Sequence, residues 1–282
     1  MTHPSSGFRI RPIGSSFSAE VLGLDLRVPL TPAQISAVQA AFEQHHVLAF
    51  RDQALDKAAQ LAFTLQFGDL DVHAAMNAGD DVPEVHTVSN LDQHGNPQAR
   101  RLGSQHWHSD KSYRQIPSVA TFLHAVQVPA SGGDTCFADT ATALEALPLA
   151  RQEYLASLKI VHSWERSVAK QGGQVSAAEK HQYPPIAHPL ARLQPSGRRA
   201  LYMGQHASHI DGMDIAAGEA LIAELHAHCT QSQFVYQHAW RPGDLLMWDN
   251  RGLLHRALAN FDADANARIL HRTVTRGTEV PC

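Results

Sequence analysis

His108 and Asp110 are the residues from which chemistry can first be read. They stand in the segment Gln105-His106-Trp107-His108-Ser109-Asp110. In extended backbone, residues i and i+2 point to the same side, so one short stretch can offer an imidazole and a carboxylate to a single ion. Two ligands do not make a site. A third stands in Trp248-Asp249-Asn250-Arg251-Gly252-Leu253-Leu254-His255. There a strand reaches Asn250, a turn follows, and His255 is expected to start the next strand. Two histidines and one carboxylate form a facial triad with open positions, which suits non-haem Fe(II). The open positions have room for a bidentate cosubstrate and O2.

Arg268 and Arg272 follow in Arg268-Ile269-Leu270-His271-Arg272. Four residues apart on a strand they share a face, roughly 13 Å apart along it. Buried arginines are costly without partners, so two anionic ligands are expected. Guanidinium pairs with carboxylate through two parallel hydrogen bonds. His271 points the other way and reads as structural.

The elements that must position these groups are short. Residues 1–30 read as an extended lead-in with edge strands. Thr31-Pro32-Ala33-Gln34 announces a helix, with an N-cap, Pro at the first helical position and Gln three after the cap. Asp56 opens a second helix, ending near Phe67-Gly68. Residues 47–51 read as a short buried strand. Further strands are expected at 85–90, 119–126, 135–138, 234–240, 245–249 and 269–275. A hairpin is expected between 189–193 and 200–203. Two short helices are expected over 140–147 and 148–158, and a longer one over 216–229. The polar segments 69–104 and 163–187 read as lid-like loops beside a site. Strands separated by turns around a few helices predict a mostly β fold with helical additions, a jelly roll. No linker or repeat divides residues 1–282, so one domain is expected.

Composition excludes several classes. The chain has 282 residues, 44% hydrophobic and 18% charged, with a formal net charge of −4. No basic block marks a nucleic-acid or anionic-membrane surface. No apolar run is long enough to span a bilayer and no signal peptide is visible, so the expected location is cytoplasmic. The 3 cysteines are odd in number and far apart, which reads as reduced thiols. Histidine reaches 19, so a lone histidine carries little weight.

His108-Ser109-Asp110, Gly132-Gly133-Asp134-Thr135, Trp248-Asp249-Asn250-Arg251 with His255, and Arg268 with Arg272 together resemble the taurine dioxygenase and 2,4-dichlorophenoxyacetate dioxygenase family. The resemblance covers nearly the whole chain. Gly204-Gln205-His206-Ala207-Ser208-His209 and Phe234-Val235-Tyr236 lie closer to the phenoxyacetate branch. It implies a double-stranded β-helix of the cupin-like kind and an oxygenase using Fe(II), 2-oxoglutarate and O2. His108, Asp110 and His255 would hold iron. Thr135 and Arg268 would grip the distal carboxylate of 2-oxoglutarate, and Arg272 the acidic head of the substrate. His73, Asn90 and Ser104 are further substrate-contact candidates. The reaction implied is hydroxylation of a small organic acid, aryloxyalkanoate-like first, with release of succinate and CO2. An alkylsulfonate (taurine-like) dioxygenase and a non-catalytic β-helix that binds an acid or metal are the alternatives. A metal hydrolase is disfavoured by the open iron positions and the cosubstrate arginine. Homo-oligomerisation is left open. Trp107, Trp240 and Trp248 read as packing, and Asp249 as a turn or ligand-orienting carboxylate. The pair His206 and His209 lacks further ligands for zinc.

Overall fold

The chain starts with a hairpin of β1 (Arg9–Pro12) and β2 (Ser18–Leu22). The computed structural model describes residues 7–14, 17–71, 81–99 and 104–282. α1 (Pro32–His45) begins with the expected reciprocal cap: the Thr31 hydroxyl accepts from Gln34 N, and the Gln34 side chain accepts from Thr31 N. Such a cap contributes about 1 kcal/mol. The helix stops at His46, whose left-handed φ of 54° turns the chain into β3 (Val47–Phe50). α2 (Lys57–Thr64) is capped by Asp56. β4 (His86–Ser89), β5 (Ala120–Gln127) and β6 (Thr135–Asp139) follow. After them come α3 (Thr140–Glu145), α4 (Leu149–Ala156) and β7 (Lys159–His162).

The next segment carries α5 (Trp164–Lys170), α6 (Ala177–Gln182), β8 (Ile186–Pro189), β9 (Ala191–Leu193), β10 (Arg199–Leu201) and β11 (Ala207–Ile210). α7 (Ile215–Cys229) leads to the closing strands β12 (Val235–His238), β13 (Leu245–Asp249), β14 (Leu253–Ala257) and β15 (Ile269–Val274).

Two sheets make the β-helix. The larger has the order β1-β2-β3-β13-β5-β15-β4 and the smaller β12-β6-β14. Side-chain alternation sorts the core into three layers. Along β13, Leu246 and Trp248 face inward between the sheets, where Phe137, Tyr236 and Leu253 meet them from the smaller sheet. Leu245 and Met247 face outward onto Val38, Phe42 and Phe63 of α1 and α2. The smaller sheet does the same. Phe137 and Leu253 point inward, while Cys136, Ala138 and Leu254 point outward onto Leu144 of α3 and Leu221 and Leu225 of α7. By this parity His255 belongs to the interior and Arg256 to the outer face. Burial of a side chain of Leu or Phe size contributes roughly 1.5–3 kcal/mol, so a one-residue slip in β14 would be heavily penalised.

Several expectations need correction. β2 is not an edge strand, because it pairs in parallel with β3 across the α1 connection. The segment 163–187 is not irregular: Ser163 caps α5, and Ser176 with Glu179 forms a second capping box on α6. β7 and β11 were not anticipated; they pair with each other, and β7 also pairs with β8. His255 lies in the middle of β14 and not at its start. Among the described residues no helix is long and apolar enough to cross a membrane.

Asp71, 5% exposed, ties the chain that enters residues 72–80 to the turn after Asp110. Its Oδ1 meets Lys111 Nζ at 2.9 Å and Arg114 NH1 at 2.6 Å, and its Oδ2 accepts from Ser118 at 2.9 Å. Burial alone would raise the Asp71 pKa. The Lys111 and Arg114 cations outweigh it, so the carboxyl is held below its ordinary value. A depressed folded pKa means that this stabilisation is present above the unfolded value of about 3.9 and is lost as pH falls through the folded one. Asp71→Ala is expected to lower stability by about 3 kcal/mol at pH 7. In urea unfolding, the gap from wild type should narrow steadily as pH is lowered below 4.

Candidate active site

The centre of the site is a backbone bridge. His108 N donates to His255 O at 3.0 Å, and His255 N donates to His108 O at 2.8 Å. Through this single antiparallel bridge the loop before Ser109 rides on β14. It brings the two imidazole centroids within 4.1 Å. His108 and Asp110 converge as the two-residue spacing suggests, and the chain turns from Asp110 onward, with Lys111 at a φ of 53°. Asp110 is positioned from below. Ser109 Oγ donates to Asn250 O at 2.6 Å, Asp110 N to Asn250 Oδ1 at 3.3 Å, and Thr121 Oγ1 to Asp110 Oδ2 at 2.5 Å. Asn250 Nδ2 donates to Thr121 Oγ1 at 2.9 Å, closing the ring. Asn250 follows β13 and Thr121 lies on β5, so the large sheet holds the carboxylate while the small sheet holds His255.

One ligand atom from each of His108, Asp110 and His255 lies within 4.8 Å of the others, and all three residues are buried. Asp110 Oδ1 is 3.7 Å from His108 Nε2 and 3.8 Å from His255 Nε2. His108 Nδ1 donates to His106 O at 2.9 Å, which leaves the Nε2 lone pair aimed at the cluster. The His255 ring is held by Trp248, 4.8 Å between centroids, and by Phe137 at 6.3 Å. Burial pushes the pKa of both imidazoles below the ordinary histidine value. Burial opposes ionisation of Asp110, and the Arg272 cation outweighs it, holding the carboxyl well below its usual range. Neutral imidazoles and an ionised carboxylate are the protonation states a metal requires. The donor set fits a divalent ion with open positions.

Arg272 and Arg268 have different surroundings. Arg272 lies on β15, and its NH2 reaches Asp110 Oδ1 at 2.7 Å. So the carboxylate beside Arg272 in this structure is the triad's own. Arg268, 4% exposed, precedes β15, where the register shifts between Ile269 and Leu270. Its Nε donates to Gly133 O at 2.8 Å and its NH2 to Thr135 Oγ1 at 3.4 Å. Burial lowers its pKa to about 10, with Asp134 opposing. The turn that presents Gly133 O requires glycine: at Gly132, φ +76°, an added Cβ would stand 2.1 Å from Asn260 O.

Trp240 was read as packing, yet its Nε1 donates to Thr135 Oγ1 at 2.9 Å. With Trp240 and Arg268 both donating to it, the Thr135 hydroxyl has its own proton left for an anion. Nothing in the sequence around Trp240 signals this, because the contact spans 105 positions.

The remaining candidates divide. Both polar atoms of Asn90 are engaged with backbone: Oδ1 accepts from Arg268 N at 2.8 Å, and Nδ2 donates to Ala263 O at 2.8 Å and Asn266 O at 3.0 Å. Asn90 therefore sets the approach to β15. Ser104 is exposed at a φ of 47°, and its carbonyl accepts from Ala257 N on β14. His73 lies outside the described residues. Sequence reasoning missed an aromatic wall. Tyr113 stands 4.9 Å from His206, 4.8 Å from Trp164 and 5.3 Å from Tyr183, and His206 is 6.5 Å from His108. His206 Nδ1 pairs with Ser112 Oγ at 3.1 Å, and burial lowers its pKa to about 3. Among the described residues His206 joins no cluster of three metal-ligating groups, so it is a wall residue and not half of a zinc pair.

Comparison with known proteins places the chain in a family. The model of the taurine catabolism dioxygenase TauD, TfdA family matches residues 9–274. The alpha-ketoglutarate-dependent 2,4-dichlorophenoxyacetate dioxygenase of Cupriavidus pinatubonensis is 37% identical over 94% of this chain and 96% of its own. The alpha-ketoglutarate-dependent sulfate ester dioxygenase of Pseudomonas putida is 33% identical over 96% and 90%. Among solved structures, AAD-2 in complex with Mn(II) and N-oxalylglycine superposes with a TM-score of 0.87 at 35% identity, covering 98% of both chains.

Asp110→Ala is expected to weaken Mn(II) binding by at least ~100-fold, measured by calorimetry, since direct ligands matter at least as much as the groups that orient them. Because both imidazole pKa values are lowered, wild-type affinity should stay flat from pH 8 down to pH 6. A tenfold fall over that interval would contradict the assignment.

Proposed function

We propose that the acid consumed by this enzyme is a small aryloxyalkanoate-type carboxylate, and the premise is family: the chain belongs to the taurine catabolism dioxygenase TauD, TfdA family and is an Fe(II)- and 2-oxoglutarate-dependent dioxygenase. When bound, Fe(II) supplies the redox chemistry that couples O2 and 2-oxoglutarate, released as succinate and CO2, to hydroxylation of the acid.

The chain's own residues bind and orient. His108, Asp110 and His255 hold the metal. Arg268 and Thr135, supported by Gly133 O and Trp240, receive the distal carboxylate of 2-oxoglutarate. Arg272, already hydrogen-bonded to Asp110, receives the acidic head of the substrate. One cation then bridges the metal-ligand carboxylate and the incoming acid, so the reacting carbon is held next to the metal. Asn90 positions Arg268. Ser104 and His73 are further substrate-contact residues on this reading.

The observation that carries the substrate class is the aromatic wall. Tyr113, Trp164, Tyr183 and His206 run from His108 out to α5 and α6 with centroid separations of 4.8 to 6.5 Å. Tyr113 is within electrostatic reach of both Asp110 and Arg272. An acid gripped by Arg272 thereby has an aryl body against rings, worth about 0.5–1.5 kcal/mol per contact beyond burial. A flexible alkyl sulfonate gains less from such a wall. The setting is the reducing cytoplasm, where the free thiols of Cys136, Cys229 and Cys282 persist.

Succinate formation with Fe(II) and ascorbate should be highest for aryloxyacetates and aryloxypropionates, and lower for alkylsulfonates and sulfate esters. Turnover confined to sulfonates or sulfate esters would sink the reading. Arg272→Ala is expected to raise the KM for the acid roughly 10- to 100-fold with little change in the 2-oxoglutarate requirement, and Arg268→Ala the reverse. Trp164→Ala should narrow the preference for aryl over alkyl acids by about tenfold.

A further inference from the structure

A cavity of about 610 Å³ lies on the outer side of the smaller sheet, away from the triad. Its walls include Trp107, Ser167, Lys170, Ile222, His226 and Arg256. Alternation along β14 explains the separation. Leu253 and His255 point into the β-helix, and Arg256 shares the outer face with Leu254. The volume is in the usual range for a small-ligand site.

The charges around this cavity are not balanced from within. The Arg256 guanidinium lies over the Trp107 ring at 4.8 Å, and its Nε is buried with no hydrogen-bond partner. Among the described residues no carboxylate forms an ion pair with it. Lys170 Nζ donates to the Ala207 carbonyl at 3.2 Å, and its pKa is lowered by burial and then by Arg166. Glu219, the carboxylate on this wall, is engaged by Arg166. Ser167, 2% exposed, has a hydroxyl without a partner. Lys170 is exposed at the cavity rim, whereas Arg256 is half-buried, and a half-buried guanidinium is costly to hold without an anion. Trp107 and Ile222 add apolar wall beside them.

We propose that this cavity is a second ligand site for a small organic carboxylate, whose head meets Arg256 and Lys170 and whose apolar body lies on Trp107 and Ile222. Planar guanidinium over indole leaves its in-plane N–H groups for carboxylate. An occupant would touch the immediate chain neighbours of His108 and His255 from the far face of the strand. The site stands independently of the substrate assignment, which concerns the interior face.

The test uses 4-(trifluoromethyl)benzoate, observed by fluorine NMR while titrated into the full-length protein. Wild type should show two bound populations. Arg272→Ala should remove the interior one. Arg256→Met should weaken the outer one at least tenfold, and Arg256→Lys should restore part of it. Ala223→Trp fills the cavity from an exposed position on α7, so the fold should be kept, as circular dichroism would verify, and the outer population should vanish. A single population that Arg272→Ala abolishes and that Arg256→Met and Ala223→Trp leave unchanged would overturn the proposal. So would the absence of any bound population in Arg272→Ala at millimolar probe.

Discussion

The two hydrogen bonds between His108 and His255 are the contact on which the site depends. They join a loop to β14, with the Ala257 N to Ser104 O bond beside them, and the register of this pairing decides whether the imidazoles converge. β14 is held in turn by five paired positions against β6. Gly204 shows how closely the surroundings approach. At φ +127°, an added Cβ there would stand 3.0 Å from His108 Cα and 3.1 Å from Trp107 O, so a side chain at 204 would press on the bridge itself.

Electrostatics around the triad are arranged by burial more than by charge count. Two imidazoles kept neutral by desolvation stand beside one carboxylate kept ionised by Arg272. Arg268 is the contrasting case. It is buried with a carbonyl and a hydroxyl and, among the described residues, no carboxylate within hydrogen-bond distance, and burial lowers its pKa. Its surroundings thus favour an incoming anion, while Arg272 already shares one. The two arginines of the interior thus differ in the company each keeps. A rigid frame supports this: Trp240 fixes Thr135, and Asn90 fixes the backbone of Arg268.

Much of the fold could be read locally. Thr31, Pro32 and Gln34 form a cap that needs nothing beyond its own turn, and α1 starts where they indicate. Asp56 did the same for α2. The second capping box, Ser176 with Glu179, carried an equally local signal, but the glycines and prolines around it suggested a loop. β7 and β11 were hidden for another reason: each is only four residues long, and each is defined by its partner strands. The parallel pairing of β2 with β3 likewise has no local mark, because it depends on where α1 returns the chain.

Residue types and spacing by themselves determined the ligand chemistry. His108, Asp110 and His255 are the right donors, two of them close enough in sequence to share an ion, and Arg268 and Arg272 imply anions nearby. Those inferences rest on donor atoms and charge, which are properties of the residues themselves, whereas the strand alternation expected to join Arg268 and Arg272 is interrupted where the register shifts between Ile269 and Leu270. Tertiary structure decided the rest. It turned the chain at Asp110, set Arg272 on Asp110, joined Trp240 to Thr135, gathered Tyr113, Trp164, Tyr183 and His206 into one wall, and sent Arg256 to the opposite face from His255. Each of those outcomes depends on which segments pack together across tens to hundreds of residues, and packing is a property of the whole core.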